Sequence, residues 1–354
     1  MDWHKVRAME LPGPFALAVS RRMLTAVHEF HPDGRGGRGV ALARRAATRW
    51  GWARRRFDLD QASFRLAAMA KNVDELEETY ALLADDRSRQ VYVDLWAFKV
   101  LGVHHAPTPV TVPEHTRLQR EIERTAGSDG RFQLEGPAGT PIRLRGPAFE
   151  LTSIYKLGQY RFAADGVSVV ARPGDVVLDG GAAGGDTALW FADLVGDAGH
   201  VHAVEFAPAN LATLADNLAA NPGLVPRVTV HECALWDSTG ERLRFSEDGS
   251  TTAVGAEGAL EVETATIDDV VARAGLERLD FVKLDVEGAE PNVLRGAAET
   301  LRRLRPTVAV ALYHDPEHFV SLPAFLHELD VGYRFHLGHY SPLGAETILF
   351  ATAR

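Results

Sequence analysis

Four side chains in the C-terminal part of the chain, Asp285, Glu287, His314 and His339, have the types and spacing for proton or cation chemistry. Three apolar runs that read as strands lead into them: Phe281–Leu284 before Asp285, Val308–Leu312 before His314, and Tyr333–Leu337 before His339. Ligands of open α/β sheets bind outside the carboxyl ends of the strands, so these side chains are expected on one edge. Histidine titrates near neutral pH and suits a general base. Asp285, His314 and His339 also make an oxygen-and-imidazole set for a divalent cation such as Mg2+. Residue types alone leave base and metal both open. Glu290 opens a helix and reads as a dipole partner there. His318, His327 and His336 read as structural or surface residues.

A second constellation lies upstream. Val176-Val177-Leu178 is an apolar strand that runs into Asp179-Gly180-Gly181-Ala182-Ala183-Gly184-Gly185-Asp186 and then a helix start. Glycines at a strand–helix turn let the backbone bend sharply and a ligand come close. Helix N-termini also favour a carboxylate. A dinucleotide site needs G-x-G-x-x-G around its pyrophosphate, and that spacing is absent. Asp179 and Asp186 flanking the turn suit a cationic ligand instead. S-adenosylmethionine (SAM), with its sulfonium, its ammonium and a single carboxylate, fits that charge pattern. Glu205 ends the next strand, where an acid takes both ribose hydroxyls. Phe206 follows it, and Ala234 and Leu235 at the end of the third strand are expected to flank the adenine.

The elements that position these residues alternate strand and helix from Arg172 onward. Strands are expected at 176–178, 202–206, 228–233, 281–284 and 308–312. Helices are expected at 187–194, 209–219, 267–274, 292–304 and 322–329. Leu243–Phe245 and Glu261–Ala265 read as a polar insertion with strands, and Tyr333–Leu337 with Thr347–Ala351 as a terminal antiparallel pair. Repeated strand–helix units make a doubly wound parallel α/β sheet covered on both faces. Upstream, residues 60–101 read as helical, and Gly34–Gly39 as a break. Pro107, Pro109 and Pro113 read as a linker, Thr116–Thr125 as a short helix, and Arg131–Leu134 with Pro141–Leu144 as a hairpin. The expected organisation is a mainly helical N-terminal region (1–112), a connecting segment (113–171) and a cofactor-binding domain (172–354). The N-terminal region is expected to shape the acceptor site or a homodimer interface. Gln159–Phe162 reads as a lid over the cofactor.

Composition excludes several classes. The net charge is −10, and 46% of residues are hydrophobic, enough for a sizeable core. Ten arginines between Arg21 and Arg56 could meet nucleic acid, but the acidic remainder would repel phosphate, so none is expected as a partner. No run of about 18 apolar residues occurs, so no membrane span is expected. Cys233 is the single cysteine, which excludes an internal disulfide and a thiolate cluster. With Met1–Leu11 lacking an apolar leader core, the expected location is cytoplasmic.

Asp179–Thr187, Thr266-Ile267-Asp268-Asp269 and Asp280-Phe281-Val282-Lys283-Leu284-Asp285-Val286-Glu287-Gly288-Ala289-Glu290 together resemble the signature of FkbM-type methyltransferases. The likeness continues through Val293–Ala297 and Arg305-Pro306, and the Tyr313-His314 and His339-Tyr340-Ser341 pairs resemble the branch ending in YH…HYS. It covers roughly residues 154–354. The resemblance implies a class I methyltransferase sheet, SAM as donor, and O-methylation of a sugar or other hydroxyl on a small natural-product molecule. It implies that Gly181, Gly185 and Glu205 hold SAM and that Asp285 stands beside cofactor and acceptor. Ala311 stands where many members carry an acid and Ala183 where many carry Asn, so no role carries over at either position. N-methylation on the same scaffold, or a non-catalytic SAM-binding scaffold protein, are the alternatives.

Overall fold

A computed structural model describes residues 13–30, 73–102, 106, 108–164, 166–248, 251–254 and 260–354. The Gly34–Gly39 break, the helical start at 60–72 and most of the arginine stretch lie outside these residues. Seven strands form the main sheet: β1 (Val176–Gly180), β2 (His200–Glu205), β3 (Val228–Glu232), β4 (Phe281–Leu284), β5 (Thr307–Ala311), β6 (Arg334–His339) and β7 (Thr347–Thr352). Their order is β6-β7-β5-β4-β1-β2-β3. Neighbours pair in parallel except at β7, which runs antiparallel to both β5 and β6. The strands read as unbroken apolar runs because both faces are covered. Val177, Phe281, Ala309 and Phe350 enter one core layer, while Leu178, Val282, Val308 and Leu349 enter the other. This is the period-2 alternation of a strand.

The longer helices are α1 (Pro14–Phe30), α2 (Val73–Leu82), α3 (Asp86–Leu101), α4 (Val112–Glu123), α5 (Asp186–Val195), α6 (Pro208–Ala219), α7 (Ile267–Arg273), α8 (Glu290–Arg295), α9 (Ala298–Leu304) and α10 (His318–Glu328). Phe15, Leu76, Tyr92 and Leu95 share one core with Phe319, Phe335 and Leu349, so α1–α3 pack on the sheet edge formed by β6 and on α10. Polar contacts fix the same seam. Ala84 N–H donates to the Phe335 carbonyl at 2.8 Å. Leu337 N–H donates to Ser88 Oγ at 2.8 Å, and His336 Nδ1 meets Asp85 at 2.7 Å. Asp85 also caps α3 by accepting from Ser88 N–H.

Three boundaries differ from expectation for local reasons. α4 starts at Val112 because Thr111 caps it and Pro113 fits its first turn, so the proline-rich segment is shorter than it reads. The single helix expected over 292–304 is two, α8 and α9, parted around Gly296. A Cβ at Gly296 would stand 2.2 Å from the Trp236 carbonyl oxygen, and this close approach sets the break. Ala234–Leu235 leaves the third strand and pairs in parallel with Leu260–Ala265. Among the described residues no helix is long and apolar enough to cross a membrane.

Candidate active site

The strand order reverses between β1 and β4, and the glycine turn sits at that switch point. Gly181 has φ +78°, and a Cβ there would lie 2.0 Å from the Asp285 carbonyl oxygen, so only glycine lets the turn meet the end of β4. Beneath the turn Lys283 is 2% exposed and Asp179 0%; they pair at 3.1 Å. Lys283 Nζ also donates to the carbonyls of Gly180 (3.2 Å) and Gly181 (2.6 Å), and Thr187 Oγ1 donates to Asp179. A lone lysine inside the run Phe281-Val282-Lys283-Leu284 thereby ties β4 to the turn. Burial works against its charge, but Asp179 and Asp285 outweigh that and hold its pKa above the ordinary value.

A cavity opens on the carboxyl edge, lined on one wall by Gly181, Ala183 and Glu205–Phe206 and on the other by Ala234–Trp236 and Asp285–Glu287. Glu205 is held there by backbone donors: Phe206 N–H at 2.6 Å, Ala207 N–H at 2.8 Å and Ala183 N–H at 2.9 Å. Ala183 reaches it from left-handed backbone, φ +44°. Of the residues expected around the cofactor, Gly181, Glu205, Phe206, Ala234, Leu235 and Asp285 line this cavity. Asp179, Gly185 and Asp186 stand behind the turn instead. Asp179 is spent on Lys283 and Thr187. Gly185, at φ +81°, starts α5 against Leu214. Asp186 is buried, its carboxyl facing its neighbour's N–H, and burial pushes its pKa up to about 6.

Past Asp285 the edge becomes strongly polar. Both Tyr160 (2.9 Å) and Tyr313 (2.8 and 3.0 Å) donate their hydroxyls to the Asp285 carboxylate. His314 stands among three acids: Nδ1 is 2.9 Å from Glu290, and Nε2 is 3.4 Å from both Asp285 and Glu287. Burial opposes its charge, but Glu290, Asp285 and Glu287 prevail and push its pKa up to about 9. At neutral pH this imidazole is therefore a cation, not a free base. Glu287 holds φ +53°, a strained conformation of the kind that gathers at functional sites. Glu150, largely buried and facing Asp186, Asp285 and Glu287, is pushed up to about 7. Glu346, buried and hydrogen-bonded by Gln159, is raised by burial and by Asp285 and Glu150.

The expected Asp285–His314–His339 set is corrected here. His339 lies directly across from Thr347 in the β6–β7 register and meets its Oγ1 at 2.9 Å, so cross-strand pairing turns the ring into the hairpin. Burial drives its pKa down to about 4. Among the described residues, the group close enough to share a cation is Asp285, Glu290 and His314.

The sequence profile of the FkbM methyltransferase domain matches residues 179–335, from the aspartate of the turn to β6. Over these residues the chain is similar to FkbM methyltransferase domains. The chain is 29% identical over 202 residues to 2-O-methyltransferase NoeI of Sinorhizobium fredii, a match over 51% of this chain and 80% of the relative. Its fold is similar to the crystal structure of methyltransferase FkbM from Methylobacillus flagellatus (TM-score 0.54, 19% identity, 80% of this chain). The chain spans 60% of that protein's length. These likenesses mark a methyltransferase, and the fold is Rossmann-like. The matched residues contain the cavity together with Asp285, Glu287, Glu290, Tyr313 and His314, whereas α1–α3, the 132–164 segment with Glu150, Gln159 and Tyr160, and Glu346 lie outside the match.

Several residues of the edge are silent in the sequence. Tyr160 is 125 residues from Asp285 in the chain. The Gln159–Tyr160 pair, read as a lid, is buried and pinned to Asp285 and Glu346. Glu346 carries no local signal either, and the structure places it in the β6–β7 loop at φ +58°. Glu290, read as a helix-dipole partner, does accept Val286 N–H at 2.9 Å, yet it also faces His314 and His318.

Proposed function

We propose that this chain transfers the methyl group of SAM to a hydroxyl oxygen of a small saccharide or glycosylated molecule. One observation carries the reading. Asp285 lines the cofactor cavity and its carboxylate is also the acceptor of the tyrosine and histidine edge, so the methyl donor and a hydroxyl-binding surface meet at a single residue. The kinship with a protein named as a 2-O-methyltransferase supports oxygen as the acceptor atom.

In this reading Gly181, Glu205, Phe206, Ala234 and Leu235 hold SAM, with Glu205 taking the ribose hydroxyls. Asp285, freed from a tyrosine, accepts the hydrogen bond of the substrate hydroxyl and aims its oxygen at the sulfonium methyl. The C–S bond breaks as the C–O bond forms, the sulfonium becomes a neutral thioether, and the hydroxyl proton passes to Asp285. His314, charged at neutral pH, holds Asp285 and Glu287 in place. Glu150 and Glu346 line the acceptor side, where carboxyls match the hydroxyls of a sugar. The N-terminal helices set the outer boundary of that side. The test is turnover with a panel of saccharides and amines: Asp285→Asn should lower kcat at least about a hundredfold. Equal turnover by that variant, or transfer to amines alone, would overturn the proposal.

A further inference from the structure

We infer that Asp285, Glu290 and His314 form a divalent-cation site at the acceptor edge, with His318 as a further ligand in reach, and that it takes a first-row transition ion in preference to Mg2+. The inference deepens the proposed transfer site, and it makes a claim about cation binding that stands or falls separately.

The geometry is the first support. One ligand atom from each of Asp285, Glu290 and His314 lies within 4.8 Å of the others. Ligands of one ion with metal bonds of about 2.0–2.2 Å are at most about 4.4 Å apart, so a shift of a few tenths of an ångström brings the set within range of one ion. The second support is independent. Glu290 is 0% exposed, and its Oε2 has no hydrogen-bond partner. The Nδ1 atoms of His314 and His318 stand 2.9 and 3.5 Å from the Glu290 oxygens. Buried polar atoms are almost always satisfied, and the fully buried Glu290 Oε2, left without a donor while His314 Nδ1 pairs with the other oxygen, marks a place for a ligand. The third support is rigidity. Glu290 starts α8, Asp285 follows β4, His314 follows β5 and His318 starts α10, so four framework elements fix the donors.

The donor set chooses the ion. Two carboxylates with one or two imidazoles suit Mn2+, Co2+ or Zn2+, whereas Mg2+ prefers oxygen alone and keeps its waters. A cation here would displace the proton of His314, which ligates only as neutral imidazole, and would polarise an acceptor hydroxyl beside Asp285.

The test uses the full chain stripped with chelator and titrated with Mn2+ by calorimetry and electron paramagnetic resonance. One saturable equivalent is expected, weakened at least about tenfold by Glu290→Gln and by His314→Gln and unchanged by His327→Gln. SAM titration of the same variants reports separately on the fold and the cofactor cavity. Should Glu290→Gln fail to fold, the visible spectrum of the Co2+-loaded wild-type protein decides, since mixed nitrogen–oxygen ligation differs from the aqua ion. Absence of saturable binding of Mn2+, Co2+ and Zn2+ up to about 1 mM would overturn the inference and leave a buried ion pair. Binding unaffected by Glu290→Gln and His314→Gln would overturn it equally.

Discussion

Replacing Lys283 by Met tests whether the glycine turn is held from beneath by a buried charge. The two side chains are of similar length, so the core should still fill. What is lost is the partner of Asp179, which is 0% exposed and would keep only the hydroxyl of Thr187. Removing one member of a buried ion pair costs about 3–5 kcal/mol, because the remaining charge is stranded. The carbonyls of Gly180 and Gly181 also lose their donor, at about 1 kcal/mol each. The melting temperature should fall by on the order of 10 °C. The turn would also lose its tie to β4, so SAM affinity should drop about tenfold or more. Asp179→Asn in the same chain removes the stranded charge and should restore at least half the stability. Urea unfolding of both single variants and the double variant measures this, with calorimetry for SAM. A Lys283→Met loss under about 1 kcal/mol, or a double variant no better than the single, would refute the reasoning.

Three further predictions follow from the site. His314 has its pKa raised to about 9 from an ordinary 6.5, so its stabilising contribution is complete below about pH 6.5 and disappears as pH rises through 9. Wild-type stability should lose up to about 3 kcal/mol across that window, and denaturant melts of His314→Gln should lack this limb. Ala183 holds φ +44°, which asparagine tolerates better than alanine, so Ala183→Asn should raise stability by about 0.5–1 kcal/mol in the same melts. Glu205→Gln should weaken SAM about 10- to 100-fold by calorimetry without changing the unfolding midpoint by more than a few degrees.

The parts of the fold legible in sequence were those with local cause. Apolar runs of strand length and a glycine turn each speak for themselves within a few residues. The β6–β7 pair was legible because no helical segment separates 333–337 from 347–351. The break at Gly296 was not, because it answers to Trp236, sixty residues away. The same holds at the site. Glu205 and Asp285 end strands, so position along the sheet announces them. Tyr160, Gln159 and Glu346 matter only through contacts across more than a hundred residues. His339 shows the opposite failure: its place at a strand's carboxyl end was read correctly, but register turned its ring to Thr347. Asp179 and Asp186 were read from charge as ligands of a cation, and the cation that Asp179 meets is Lys283.

Incubating the enzyme with SAM carrying a deuterated methyl group and a panel of saccharides, then locating the label by mass spectrometry and NMR, tests the central claim most directly. The account predicts label on a sugar oxygen, lost with Asp285→Asn. Label on nitrogen, or none on any hydroxylated acceptor while SAM binds normally, would contradict it.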